Sequence, residues 1–225
     1  SEMCIRDSYQ TVEPRLKDGA LLATNTSALP LEQLSAGLAD PSRFVGLHFF
    51  NPVSRMQLVE IVSHPDAGDE TLRRATAFAV ELSRLPAPVR SAPGFLVNRA
   101  LTPYMAEALL MVGEGVPKER IDARAEAFGM PMGPVELADR VGLDIALEVS
   151  ASLREGLDGD FPETPAWLVQ MVREGRLGAK TNGGLYEYEG GKPKKIHVDA
   201  IPDGAKDDAD PVSYTHLRAH ETKAN

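Results

Sequence analysis

His48 and Glu60 are the residues whose types and setting most invite a chemical reading. His48 sits inside the apolar run RFVGLHFF (residues 43–50), and Glu60 inside QLVEIV (57–62). Each run has strand length and is stopped by turn residues, Asn51-Pro52 and His64-Pro65. Antiparallel pairing about a turn centred near Ser54 sets His48 opposite Glu60, with Cβ atoms about 5 Å apart. An unpaired carboxylate among Leu58, Val59, Ile61 and Val62 would be costly, so each polar residue accounts for the other. A carboxylate on one imidazole nitrogen fixes the tautomer, leaves the second nitrogen as acceptor and stabilises the imidazolium. That is general acid–base chemistry. Two plainer readings stand beside it. His48 alone reads as a core histidine bonded to backbone, and the pair as a buried ion pair that only fixes register.

Other chemistries have less support. With a single cysteine, Cys4, and no suitably spaced second histidine, a metal site is not expected. No G-x-S-x-G elbow marks a serine nucleophile. Asn25, Thr26 and Ser27 follow a short strand, the position where sheets of this class bind ligands. Asn51 closes the His48 strand, and Asn98 is a poor helix former at the start of an apolar helix. Each of these alone also fits a cap or turn. Lys180, in a glycine-rich stretch, could meet a phosphate or be solvated.

The positioning elements follow from the pattern. Residues 20–23 (ALLA) read as a strand, 31–38 as a short helix, and 43–50 and 57–62 as strands. Asp69 is expected to cap a helix running to about Leu85, with Leu72, Ala75, Phe78, Ala79 and Leu82 on one face. Residues 88–90 form a last strand. Strands alternating with helices indicate an α/β domain. Beyond Ala92 the texture is helical: 93–112, kinked or divided at Pro103; 119–128, stopped by Gly129; 134–157; and 165–174, with Thr164 as N-cap. Residues 185–189 read as a strand, and the chain from 191 as a disordered tail.

The whole-chain numbers exclude some functions. The chain has 225 residues, 43% hydrophobic and 25% charged, ordinary for a globular protein. A net charge of −9 argues against nucleic acid or anionic lipid as partner. No run approaches the roughly 20 apolar residues of a membrane span, and no signal peptide is recognisable. The absence of a disulfide pair fits a reducing compartment.

The two ends look foreign. Residues 3–8 (MCIRDS) and 212–216 (VSYTH) can be encoded by opposite strands of one DNA word, which resembles a transposase sequencing adapter. Residues 1–8 and those from about 211 are therefore expected to be artefactual flanks. Cys4, His216 and His220 then carry no information, which leaves His48, His64 and His197.

ATNTSALPLEQL (23–34), GLHFFNPVSRMQLVEIV (46–62), SAPGFLVNRALTPYMAEALLMVGEG (91–115) and FGMPMGPVELADRVGLD (128–144) occur in that order. The series resembles the 3-hydroxyacyl-CoA dehydrogenase family from about Val12 to Tyr188. The resemblance implies the later part of a Rossmann-type NAD-binding domain (9–91) and a helical domain (92–190) that dimerises and helps bind acyl-CoA. It implies NAD as cofactor, acyl-CoA as substrate, and oxidation of (3S)-3-hydroxyacyl-CoA in cytoplasmic fatty-acid β-oxidation. It makes His48 the base and Glu60 its orienting partner, with Ser27 and Asn98 bonding the substrate. Asn25, Ser27, Asn51 and Lys180 fall near the cofactor. His64 and His197 match nothing and are expected at the surface.

Two departures accompany this. No G-x-G-x-x-G fingerprint is present, so the chain as it stands is expected to lack specific NAD binding and activity. KTNGGLYEY (180–188) also differs from the family's usual K-T/S-G-x-G-F-Y. FPETPAWLVQMVREGRLGAK (161–180) resembles large multifunctional β-oxidation subunits, which implies a homodimer or a complex subunit as the assembled parent. A 3-hydroxybutyryl-CoA or sugar-acid dehydrogenase, and a non-catalytic helical dimerisation module, are the competing readings.

Overall fold

The computed structural model describes residues 2–27, 29–156 and 163–197. The chain divides into two compact units between Arg99 and Ala100.

The first unit is built on a sheet of order β1 (Leu22–Thr24), β2 (Phe44–Phe49), β3 (Leu58–Ser63), β4 (Leu85–Arg90). β1 is parallel to β2, β2 antiparallel to β3, and β3 parallel to β4. The β2–β3 register sets Gly46 opposite Val62, Leu47 opposite Ile61, His48 opposite Glu60 and Phe49 opposite Val59, as the turn position predicts. Alternation then sorts the side chains. Phe44 and Val62 pack on one face with Leu31 and Leu34 of α2 (Leu31–Ser35) and with Phe95. Val45, Val59 and Ile61 pack on the other face with Ala75 and Ala79 of α3 (Asp69–Glu81). Gly46 is needed for closeness: a Cβ there would lie 2.7 Å from Val62 Cβ.

α1 (Glu2–Val12) runs across the expected artefact boundary, and Tyr9 lays its ring 5.4 Å from that of Phe44. The Glu13 carboxylate accepts the N–H groups of Ala39 and Asp40, each at 2.8 Å. Three expectations are corrected on α3, the first being that Gly68 and not Asp69 stands at its N-cap. The helix ends at Glu81 because Ser83 turns left-handed (φ 56°), and Phe78 and Leu82 are exposed. The last strand accordingly starts at Leu85. Leu85 N–H bonds Gln57 O and Ser91 N–H bonds Ser63 O, so Pro86 and Pro88 fall on the strand's free edge, where no donor is needed.

The second unit packs helices around Met105, Leu109, Met111, Ile121, Val135, Leu143, Leu168 and Tyr186. α4 (Val97–Gly113) continues through Pro103; it begins after Leu96, because Gly94 and Phe95 form a left-handed turn. α5 (Lys118–Phe128) stops at Gly129, φ 119°. The single helix expected over 134–157 is two, α6 (Pro134–Val141) and α7 (Leu143–Gly156), broken at Gly142 with φ 102°. α8 (Ala166–Arg173) has Pro165 rather than Thr164 at its N-cap; the Thr164 hydroxyl accepts from Arg154.

The expected strand at 185–189 shrinks to β5 (Tyr188–Glu189), paired with β6 (Lys192–Pro193). Asp139 replaces the missing ladder at its start, since its two oxygens accept Leu185 N–H and Tyr186 N–H at 2.8 Å each. Residues 191–197 therefore depart from the disorder expected of them, whereas 198–225 lie outside the described residues.

Candidate active site

The antiparallel β2–β3 pair brings His48 and Glu60 together as their register demands. His48 Nδ1 lies 2.5 Å from Glu60 Oε2, and the Glu60 side chain is fully buried. The second carboxylate oxygen, Oε1, accepts the N–H groups of Leu96 and Val97, both at 2.9 Å. Those donors open α4, whose unpaired N-terminal N–H groups and dipole favour an anion. Burial pushes the Glu60 carboxyl upward, but bonds from His48, Val97 and Leu96 outweigh it and hold the group below its ordinary value. An ionised Glu60 only accepts, so His48 carries its proton on Nδ1 and presents Nε2 as the basic nitrogen. Aromatic rings flank the imidazole: Phe50 at 4.5 Å and Phe95 at 5.7 Å between centroids.

The other site candidates of this unit follow strand ends or open α4. Parallel strands β1 and β2 end on the same side of the sheet, so Asn25, Ser27 and Asn51 follow carboxyl ends of strands, and all three are exposed. Asn25 Oδ1 accepts Phe49 N–H at 2.9 Å, one residue past His48. Asn98, the second residue of α4, donates from Nδ2 to the Ser27 carbonyl at 3.1 Å. Lys180 belongs to the second unit, in a 3-10 turn (Ala179–Thr181), and its ammonium holds both oxygens of Asp144 at 2.5 and 2.6 Å. His197 is exposed as expected, but His64 is not: it is 5% exposed and bonds Phe44 O through Nε2 at 3.2 Å. Continuing the β2–β3 register by two residues sets His64 opposite Phe44, so it stays against the strand rather than entering solvent.

Sequence reasoning missed the amides of Leu96 and Val97 as partners of Glu60. Pro93-Gly94 marks a turn there, but no residue type shows which backbone N–H groups that turn presents.

The model of the 3-hydroxyacyl-CoA dehydrogenase NAD-binding domain matches residues 4–92, and that of the C-terminal domain matches 94–188. A fatty acid oxidation complex subunit alpha from Idiomarina loihiensis is 38% identical over 195 residues, covering 85% of this chain and 27% of that protein. One from Psychrobacter sp. is 39% identical over 203 residues, covering 88% and 28%. The chain thus spans little more than a quarter of these relatives. Among solved structures, M. tuberculosis FadB2 superposes with TM-score 0.81 at 33% identity, covering 84% of this chain and 68% of that one. The (S)-3-hydroxybutyryl-CoA dehydrogenase of Ralstonia eutropha gives 0.78 at 33%, covering 84% and 67%. With matched models over both units and these relatives, the chain belongs to the 3-hydroxyacyl-CoA dehydrogenase family, with a Rossmann-like NAD-binding domain and a helical C-terminal domain.

Proposed function

We propose that this chain carries the acid–base half of an enzyme that oxidises (3S)-3-hydroxyacyl-CoA to 3-ketoacyl-CoA in fatty-acid oxidation. The observation that supports it most is the buried Glu60 carboxylate, bonded on one side to His48 and on the other to two helix N–H groups. In this reading His48 Nε2 takes the proton of the 3-hydroxyl, and Glu60 stabilises the imidazolium that results. Ser27 and Asn98 hydrogen-bond the substrate and orient its hydroxyl. Asn25, Ser27 and Asn51 suit a dinucleotide, being polar and exposed at the carboxyl ends of parallel strands. Lys180 is the remaining candidate for a phosphate contact. NAD+, when bound, supplies the hydride acceptor.

We assign nucleotide binding to residues 9–91 and substrate binding and dimerisation to 92–190. The names of the relatives favour a subunit of a fatty-acid oxidation complex, and we assign it to the cytoplasm. Among the described residues no helix is long and apolar enough to cross a membrane. A short-chain, 3-hydroxybutyryl-CoA preference is the second reading, supported by the likeness to the Ralstonia eutropha enzyme.

The test is NADH formation from 3-hydroxyacyl-CoA thioesters of graded length by the protein as its gene encodes it, with and without His48→Gln. Loss of turnover on substitution is expected. Undiminished turnover in the variant would sink the assignment.

A further inference from the structure

Phe95 adopts a left-handed backbone, φ 48°, although it is neither glycine nor asparagine. Such residues are uncommon and cost free energy, and they persist where the surroundings need the geometry. Phe95 is also nearly buried, at 3% exposure, so its conformation is not the freedom of a surface loop. Its position explains the cost. The residues that follow it, Leu96 and Val97, are the two whose N–H groups reach Glu60 Oε1 at 2.9 Å. Its own ring meets His48 edge-on, 5.7 Å between centroids at 63°. One residue therefore bears on both members of the pair: its backbone precedes the two donors to the carboxylate, and its ring packs against the imidazole. The turn is fixed from behind by Phe95 N–H to Ala92 O, 2.9 Å, and by Arg99 N–H to Gly94 O, 3.1 Å.

We propose that Phe95 is a positioning residue for the His48–Glu60 pair. The left-handed turn at Gly94-Phe95 directs the Leu96 and Val97 amides onto the carboxylate, and the phenyl ring shields the Nδ1 proton shared between His48 and Glu60 from water. This rests on the reading of the pair as the acid–base centre. Its test reads hydrogen bonds and not turnover, so either idea can fail alone.

Two substitutions separate the roles. Phe95→Gly keeps a left-handed backbone at no steric cost and removes the ring. Phe95→Val makes that backbone markedly worse, because a β-branched residue is disfavoured there. In 1H–15N spectra of the whole chain, the His48 Nδ1 proton of wild type is expected downfield and in slow exchange with water. Phe95→Gly should speed that exchange at least tenfold while the Leu96 and Val97 amides keep their protection. Phe95→Val should strip protection from both amides as well. Wild-type exchange of the imidazole proton in Phe95→Gly would overturn the shielding role. Loss of Leu96 and Val97 protection in Phe95→Gly, or its retention in Phe95→Val, would overturn the aiming role. Should Phe95→Val not fold, Phe95→Gly still decides the shielding role, and Gly94→Ala, which disfavours the same left-handed turn (Gly94 φ 69°), decides the aiming role by the same loss or retention of protection.

Discussion

His48 Nδ1 and Glu60 Oε2 stand 2.5 Å apart, with the carboxylate fully buried and the imidazole side chain 8% exposed. The second oxygen of Glu60 is occupied by two backbone donors, and this determines what an amide could do in its place. In Glu60→Gln the carbonyl must face Leu96 and Val97, so the NH2 group faces His48. Nδ1 then has to accept, and the ring proton moves to Nε2, the nitrogen that would act as base. A near-isosteric change thus selects the wrong tautomer. Turnover of the gene's full product is expected to fall roughly 10²- to 10⁴-fold, with little change in KM. Ring 15N shifts of His48 should report the exchanged tautomer; an Nδ1–H tautomer in the variant would refute the argument.

The same carboxylate predicts a pH dependence. Its folded value lies below the ordinary carboxylate value, so the folded state prefers the ionised form. By linkage this contributes stability that is present above the unfolded value, about 4.3, and is lost as pH falls through the lower folded one. Melting temperatures of wild type and Glu60→Gln should converge as the pH is lowered through that window. A constant gap down to low pH would show that ionisation of Glu60 contributes nothing.

Asn25 gives a prediction in which two roles diverge. Backbone pairing of β1 with β2 ends at Thr24 and Gly46, and the Asn25 side chain then supplies the acceptor for Phe49 N–H. Asn25→Asp keeps an oxygen for that bond, whereas Asn25→Ala does not. Asn25→Ala is expected to cost about 1 kcal/mol and to release the Phe49 amide to exchange. Asn25→Asp should retain both. If affinity of the gene's full product for NAD+ drops equally in the two variants, Asn25 acts on the cofactor and not on the strand that carries His48.

Gly46 tests the packing behind the site. Its missing Cβ would sit 2.7 Å from Val62 Cβ and 3.2 Å from Leu31 Cδ2, between the sheet and α2. Gly46→Ala must push strand and helix apart, at a cost of about 1–3 kcal/mol. A fall in melting temperature of several degrees is expected. An unchanged melting curve would mean that α2 yields freely.

The sequence carried the centre of the site because two costly polar residues in apolar strands, joined by a short turn, admit few pairings. His48 and Glu60 could be matched without any long-range information. Their surroundings could not. Leu96 and Val97 bind Glu60 through backbone atoms, which no residue type announces, and Phe95 looks like one more core aromatic until its φ is known. The long helix expected over 134–157 was misjudged for a related reason. Gly142 is tolerable within a helical pattern, but here it turns left-handed, and a Cβ would strike Asp144 Oδ1 at 2.9 Å and Lys180 Nζ at 3.1 Å. Lys180 itself was legible as a cation in a glycine-rich turn, and Asp144 as its partner was not. His64 matches no family position and reads as surface, whereas the β2–β3 register, continued by two residues, holds it against Phe44.

Lys195 closes the second unit, and its removal should be felt well beyond its own segment. Its ammonium reaches Glu136 at 2.8 Å, Glu126 at 3.1 Å and Asp122 at 3.5 Å, drawing residues 191–197 against α5 and α6. Asp122 has a structural task in that cluster: it accepts Val135 N–H at 2.8 Å, Glu136 N–H at 3.1 Å and the Tyr186 hydroxyl at 3.0 Å. Burial already pushes the Asp122 carboxyl above its ordinary value despite these donors. For Glu136 burial also pushes upward, but Lys195 and Arg140 bring the net below the ordinary value. Lys195→Met removes the cation that both share and leaves two buried carboxylates facing each other. Both should then hold protons to higher pH. A group whose folded value rises destabilises the folded state as pH climbs through it, so the loss should grow from mildly acidic to neutral pH. At neutral pH about 2 kcal/mol is expected, since one partner of a charged, largely desolvated cluster is gone. Thermal melts of wild type and Lys195→Met across that range would show the gap widening as pH rises. A gap that narrows instead would mean the ammonium is held by solvent-exposed Glu126 alone, and that Asp122 and Glu136 do not depend on it.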